Sequence, residues 1–306
     1  MSRGTRGGWT RRQVLGASGG GLAVLAVAGT AGLELVSRGV LPGQQVLDRL
    51  DGACSVARPP MIFSAPGPAV SGSFFSRARR RVVGYTIAWP PGYQPGSRLP
   101  LIIALHPFGS DHRDVLTGMS LQHALALQVD GKPLPPMAMV SADGGRGYWN
   151  PHPGDNPAAM VIDELVPLCQ RKGLGRNVIG AMGISMGGYG AILLAEKYPQ
   201  LIRAVAAIGP AIWTSYPQAR AASPGAYASA AAFTAADVVT HASALAATPV
   251  RVACGLSDPF RPGAHAFARA LPGAVVDISH GCHGAPFFTA QEPPSLAFLA
   301  RHLTGV

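Results

Sequence analysis

Gly183-Ile184-Ser185-Met186-Gly187 sets one hydroxyl between two glycines, after the apolar run 178–182 and before the helix-patterned stretch 186–198. A serine on so tight a strand-to-helix turn is lifted clear of the sheet, and the glycines remove side chains that would collide inside the turn. The helix that follows directs the positive end of its dipole at the serine, which favours developing negative charge there. This is the arrangement of a nucleophile that attacks an acyl carbon. A hydroxyl is weak in that role, so the chemistry needs an imidazole to take its proton and a carboxylate to orient the imidazole. A dinucleotide-binding loop is a poorer reading: the spacing is not G-x-G-x-x-G, and no acidic residue ends a strand about 20 positions on.

Acyl-transfer sites on a strand-turn-helix elbow place the acid and then the histidine after the serine in the chain. Five histidines follow Ser185. His302 falls in the last helical pattern, His265 in a surface helix and His241 ahead of any suitable acid. His280 and His283 share the loop 279–284 directly after a strand, where an imidazole can reach over the serine. His283 is the favoured base and His280 the alternative. Asp258, in the turn Gly255-Leu256-Ser257-Asp258-Pro259, is the favoured acid. Asp237 precedes the strand that should carry it, Asp277 lies inside a strand and Glu292 comes too late. The tetrahedral intermediate also needs backbone donors. One is the amide of Met186. The second is expected from His106-Pro107-Phe108-Gly109, which resembles the His-Gly-x-Gly turn of esterases. Proline has no N–H, so Phe108 is the expected donor. His106, Tyr148 and Trp149 are expected to line the substrate pocket.

The elements that must hold these groups alternate. Val83, Tyr85, Ile87 and Trp89 have the period of a half-buried strand, while 101–105, 137–140 and 178–182 read as strands buried on both faces and 203–208 and 250–254 as further strands. A further strand is expected at 275–278, with helices at 158–169, 186–198, around Phe267 and at 295–303. Such alternation predicts an α/β fold, a mostly parallel central sheet with helices on both faces. The alanine-rich segment 213–248 breaks the rhythm and is expected to form a cap-like excursion. Residues 41–80, with Pro42, Pro59, Pro60, Pro66 and Pro68, read as a loop-rich extension to a domain spanning 81–306.

Thr10-Arg11-Arg12-Gln13-Val14-Leu15 resembles a twin-arginine export motif, and the apolar, glycine-rich run 14–33 follows it. Residues 1–40 are therefore expected to act as an export signal or signal anchor, placing the protein in the cell envelope, the periplasm or outside the cell. Those residues carry five of the 25 basic side chains and one of the 15 acidic ones, so without them the formal charge falls from +10 to +6. The remaining basic run, 77–81, has no zinc-ligand spacing or stacking aromatics beside it. It reads as a solvated edge or an attraction to acidic envelope surfaces, and nucleic acid is not expected as a partner. Outside the cytoplasm four cysteines can form two bridges. Cys254 and Cys282 both fall near the candidate site, which pairs them and leaves Cys54 with Cys169. None of the four has metal-ligand spacing.

Together, His106–Gly109, Gly144-Gly145 with Tyr148-Trp149, Gly183–Gly187, Asp258-Pro259-Phe260 and Gly281-Cys282-His283 resemble the esterase D-like branch of the α/β-hydrolases. That group is akin to S-formylglutathione hydrolases, mycobacterial-type mycolyltransferases and exported esterases. The resemblance covers residues 101–288. It implies an α/β-hydrolase fold and carboxylester hydrolysis of a small-molecule or lipid ester, with no metal and no organic cofactor. Acyl transfer to an envelope sugar or glycerol by the same triad, or a non-catalytic binding protein on the same scaffold, are the competing readings.

Overall fold

The computed structural model describes residues 48, 50–56, 65–118, 121–129 and 132–305. The chain forms two units, Met1–Ala53 and Cys54–Val306. The expectations for residues 1–40 lie outside the described residues. Among the described residues no helix is long and apolar enough to cross a membrane.

Eight strands form one sheet: β1 (Ala69–Ser76), β2 (Arg81–Ala88), β3 (Leu99–Leu105), β4 (Ala138–Ala142), β5 (Leu174–Ile184), β6 (Ile202–Ile208), β7 (Val250–Ser257) and β8 (Val275–Cys282), in the spatial order 1-2-4-3-5-6-7-8. Strands β3 to β8 run parallel, and β1 and β2 close one edge antiparallel. The continuous apolar run of β3 has a direct cause. Leu101, Ile103 and Leu105 enter one core while Ile102 and Ala104 enter the core on the opposite face. Helix α1 (Met186–Lys197) covers the first face with Tyr189, Ile192 and Leu193. Helix α3 (Ala285–Thr304) covers the second with Phe287, Leu296 and Leu299. Between them in sequence, α2 (Arg261–Ala270) follows β7.

Three expectations are corrected. Residues 41–80 are not all loop, because Ala69–Ser76 is β1, paired along its whole length with β2. As an edge strand with Phe75 exposed, it has no need of apolar alternation. The run 77–81 is not a solvated edge throughout. Arg79 is only 4% exposed; its Nε and Nη2 donate to Asp155 at 2.7 and 3.0 Å, and Nη1 donates to the Asp143 carbonyl. The last helix begins at Ala285, not 295, and carries Pro293 and Pro294 within it. Packing over two strands outweighs the two backbone donors those prolines remove.

The segment 213–248 leaves the carboxyl end of β6 as two short helices, Tyr216–Ala222 and Ala230–Ala235, and a turn of 3₁₀ helix, Ala242–Leu245. It is pinned at two points: the Tyr189 hydroxyl donates to the Ala236 carbonyl at 2.6 Å, and Asn150 Nδ2 donates to the Ala226 carbonyl at 3.3 Å.

Candidate active site

Ser185 stands between β5 and α1 with φ 56° and ψ −118°, a left-handed conformation that a non-glycine residue holds only when its surroundings impose it. Its amide donates to the Ile208 carbonyl at 2.9 Å, and its own carbonyl accepts from Ala211 and Tyr189 at 3.0 and 3.1 Å. The flanking glycines are required by contact. A Cβ at Gly183 would lie 2.2 Å from the Gly187 carbonyl, and one at Gly187 would lie 1.9 Å from the Leu105 oxygen. The elbow is thus wedged against the end of β3.

The carboxyl ends of β7 and β8 bring two further groups to the serine. His283 Nε2 lies 2.8 Å from Ser185 Oγ, and His283 Nδ1 lies 2.7 Å from Asp258 Oδ2. The Asp258 side chain is fully buried, and its second oxygen accepts the Phe260 amide at 2.8 Å. A carboxylate facing Nδ1 holds the proton on that nitrogen and leaves the Nε2 lone pair toward the hydroxyl. The imidazole is held between the rings of Phe260 and Phe288, each 5.0 Å away. Gly209, at φ +52°, makes room for the pair, since a Cβ there would lie 3.3 Å from Asp258 Oδ2 and 2.8 Å from Phe288. His280 is exposed on β8, Asp277 is ion-paired with Arg251 at 3.1 Å, and Asp237 binds Thr240 and Val239.

The pairing of the cysteines differs from expectation. Cys54 is bonded to Cys282, and Cys169 and Cys254 are buried thiols. The ladder explains why. Cys254 lies opposite Ile278, whereas Cys282 lies opposite Ser257, three residues further along β7. That offset is about 10 Å along the strand, beyond the reach of a disulfide. Cys54 instead comes alongside the residue that precedes the site histidine.

Of the three expected pocket residues, His106 and Trp149 are fully buried and Tyr148 nearly so. They support the site from behind. His106 Nε2 accepts the Gly144 amide at 2.9 Å, which leaves Nδ1 protonated to donate to the Pro107 carbonyl at 2.8 Å. Burial pushes its pKa down, consistent with a neutral ring. The Trp149 ring lies 5.0 Å from that of His106, tilted by 57°, and fills the space left by Gly144 and Gly190. Tyr148 and Trp149 both hold positive φ, at 54° and 58°, and the Arg79 contacts with Asp143 and Asp155 brace the ends of their loop. Phe108, by contrast, is half exposed; its ring faces Tyr148, with the Arg146 guanidinium 5.4 Å above it. Phe108 and Arg146 border a cavity of about 360 Å³ with His152 and Ser223. Met186 opens α1 directly after the serine. Among the described residues no cluster of side chains has the make-up of a metal site.

The residues that sequence reasoning missed are Gly209, Phe288, Arg79 and Asp155. Only Gly209-Pro210, at the end of a strand, carried a signal of a special turn.

Residues 76–262 match the Esterase family model. Curated proteins give no significant match in sequence. In three dimensions the chain is similar to a ferulic acid esterase (TM-score 0.68, 17% identity, 78% of this chain and 100% of the other). It is also similar to an S-formylglutathione hydrolase from Agrobacterium tumefaciens (TM-score 0.63, 17% identity, 81% and 100%). A third similar structure is Mycobacterium tuberculosis MPT51 (FbpC1) (TM-score 0.58, 17% identity, 80% and 99%). At these identities the likeness is one of fold.

Proposed function

Because the chain belongs to the Esterase family and so to the carboxylic ester hydrolases, we propose that it cleaves its ester through Ser185, His283 and Asp258 by way of an acyl-enzyme. The supporting observation is the unbroken line of short hydrogen bonds from Ser185 Oγ through His283 to a buried Asp258. Ser185 Oγ adds to the acyl carbon as its proton passes to His283 Nε2. The carbonyl π pair moves onto oxygen, where the amides of Met186 and Phe108 receive it. The bond to the alcohol oxygen then breaks, and that oxygen leaves with the proton from Nε2. Water, deprotonated by the same nitrogen, adds to the acyl carbon; the bond to Ser185 Oγ then breaks, and Oγ takes the proton back from Nε2 as the acid leaves. Asp258 keeps Nδ1 protonated and stabilises the imidazolium in both halves. Water is the proposed acceptor because the His283 side chain is 20% open to solvent.

A fluorophosphonate probe tests the nucleophile: wild type is labelled, Ser185→Ala is not, and an unlabelled wild type would favour a binding protein on the same scaffold. A p-nitrophenyl ester series with and without a sugar or glycerol acceptor then separates hydrolysis from acyl transfer, since transfer yields a new ester and hydrolysis only free acid.

We also propose export by the twin-arginine route. The Cys54–Cys282 bond supports it, as disulfides persist where thiols are not kept reduced. Arg11→Lys with Arg12→Lys should hold the protein in the cytoplasm, and unchanged export would exclude this route.

A further inference from the structure

The amino-terminal edge of the parallel strands carries a second concavity, of about 440 Å³. It lies where β3 and its neighbour β5 begin, whereas Ser185 follows the far end of β5, about 30 Å away for a strand of 11 residues. Four cations line it: Arg98, Arg171, Lys172 and Arg176. Among the described residues no carboxylate lines it, and none of the four forms an ion pair. Its wall is a built surface. Gly173, at φ +93°, packs so closely on the preceding turn that a Cβ would lie 3.3 Å from the Ser97 carbonyl oxygen, which brings Arg98 beside 171–176. The floor includes Tyr85 and Trp89; Trp89 is 2% exposed, and its buried indole N–H has no acceptor among the described residues.

Four like charges gathered in one concavity repel one another unless an anion is shared among them. A ligand bearing several anionic oxygens meets that condition. We propose that this cavity binds a phosphate-bearing group, at a site separate from ester cleavage. Planar arginine forks match the oxygens of a phosphate monoester or diester, and the lysine adds a point charge. A soluble phosphate ester and an anionic lipid headgroup share that chemistry.

The test uses the intact protein. Glycerol 3-phosphate is titrated by calorimetry, and sedimentation is measured with phosphatidylcholine vesicles with and without phosphatidylglycerol. Saturable binding of glycerol 3-phosphate identifies a soluble ligand, and sedimentation only with phosphatidylglycerol identifies a headgroup. In either case Arg98→Gln with Arg176→Gln should weaken binding about tenfold or more, the scale of losing hydrogen bonds to a charged group. These exposed positions should leave the melting curve and ester turnover unchanged. Arg203→Gln with Arg269→Gln, exposed elsewhere, should have little effect. Absence of binding in both assays, or an equal loss in both double variants, would overturn the proposal, the second by reducing it to diffuse positive charge.

Discussion

Ser185, His283 and Asp258 differ in what each would lose on substitution, and that difference is measurable. Ser185→Ala and His283→Ala should each lower kcat on an aryl ester by on the order of 10⁴-fold or more, because nucleophile and base act as one unit. Asp258→Asn should cost less, since it removes only the group that orients and stabilises the imidazole. His280→Ala and Asp237→Asn should leave kcat close to wild type, as neither side chain meets the serine or its base. Melting curves must accompany all five variants. A large loss in His280→Ala with His283→Ala still active would reverse the assignment of the base. The pattern of hydrogen bonds makes the opposite demand of His106: with one nitrogen accepting and the other donating, it holds the Pro107–Phe108 turn to Gly144 as a neutral ring.

Elements are where reading from sequence succeeded and failed for identifiable reasons. The stretch from β5 through Ser185 into α1 is legible because an apolar run, a glycine pair and a helical period meet within a few residues. Asp258 and His283 are legible because each ends a strand in a glycine-bearing turn. Strand β1 is not, since an edge strand with one open face needs few apolar residues. Arg79 is hidden inside a run of charge, and only the fold reveals Asp155 opposite it. Cysteine pairing depends on strand register, which no local pattern encodes. Helix α3 carries a further consequence. Glu292 is 2% exposed and one carboxylate oxygen has no partner among the described residues; burial raises its pKa to about 9. A folded-state value above that of the unfolded chain means the folded protein holds the extra proton. This contribution is therefore fully present below the ordinary glutamate pKa and is lost as pH rises toward 9. Glu292→Gln should melt at a higher temperature than wild type at pH 8.5, with the gap shrinking by pH 5. A constant gap across that range would mean Glu292 does not titrate in the window.

At the scale of the whole molecule, the cationic cavity and the cavity beside Phe108 lie at opposite ends of the sheet, and the disulfide joins residue 54 to the last strand. Closing so long a loop restricts the unfolded chain and stabilises by on the order of 2–5 kcal/mol. Cys54→Ala should lower the melting temperature, and because Cys282 adjoins His283, it should also lower kcat more than it changes KM. Equal melting curves with and without reductant would show the bond to be dispensable. The same bond makes most of the protein a closed covalent circle: all eight strands lie between Cys54 and Cys282, and of the described helices only α3 follows it. A protease that nicks a surface turn anywhere on that circle opens it without severing it. The nicked protein should migrate as one piece on a non-reducing gel and fall into two only when thiol is added.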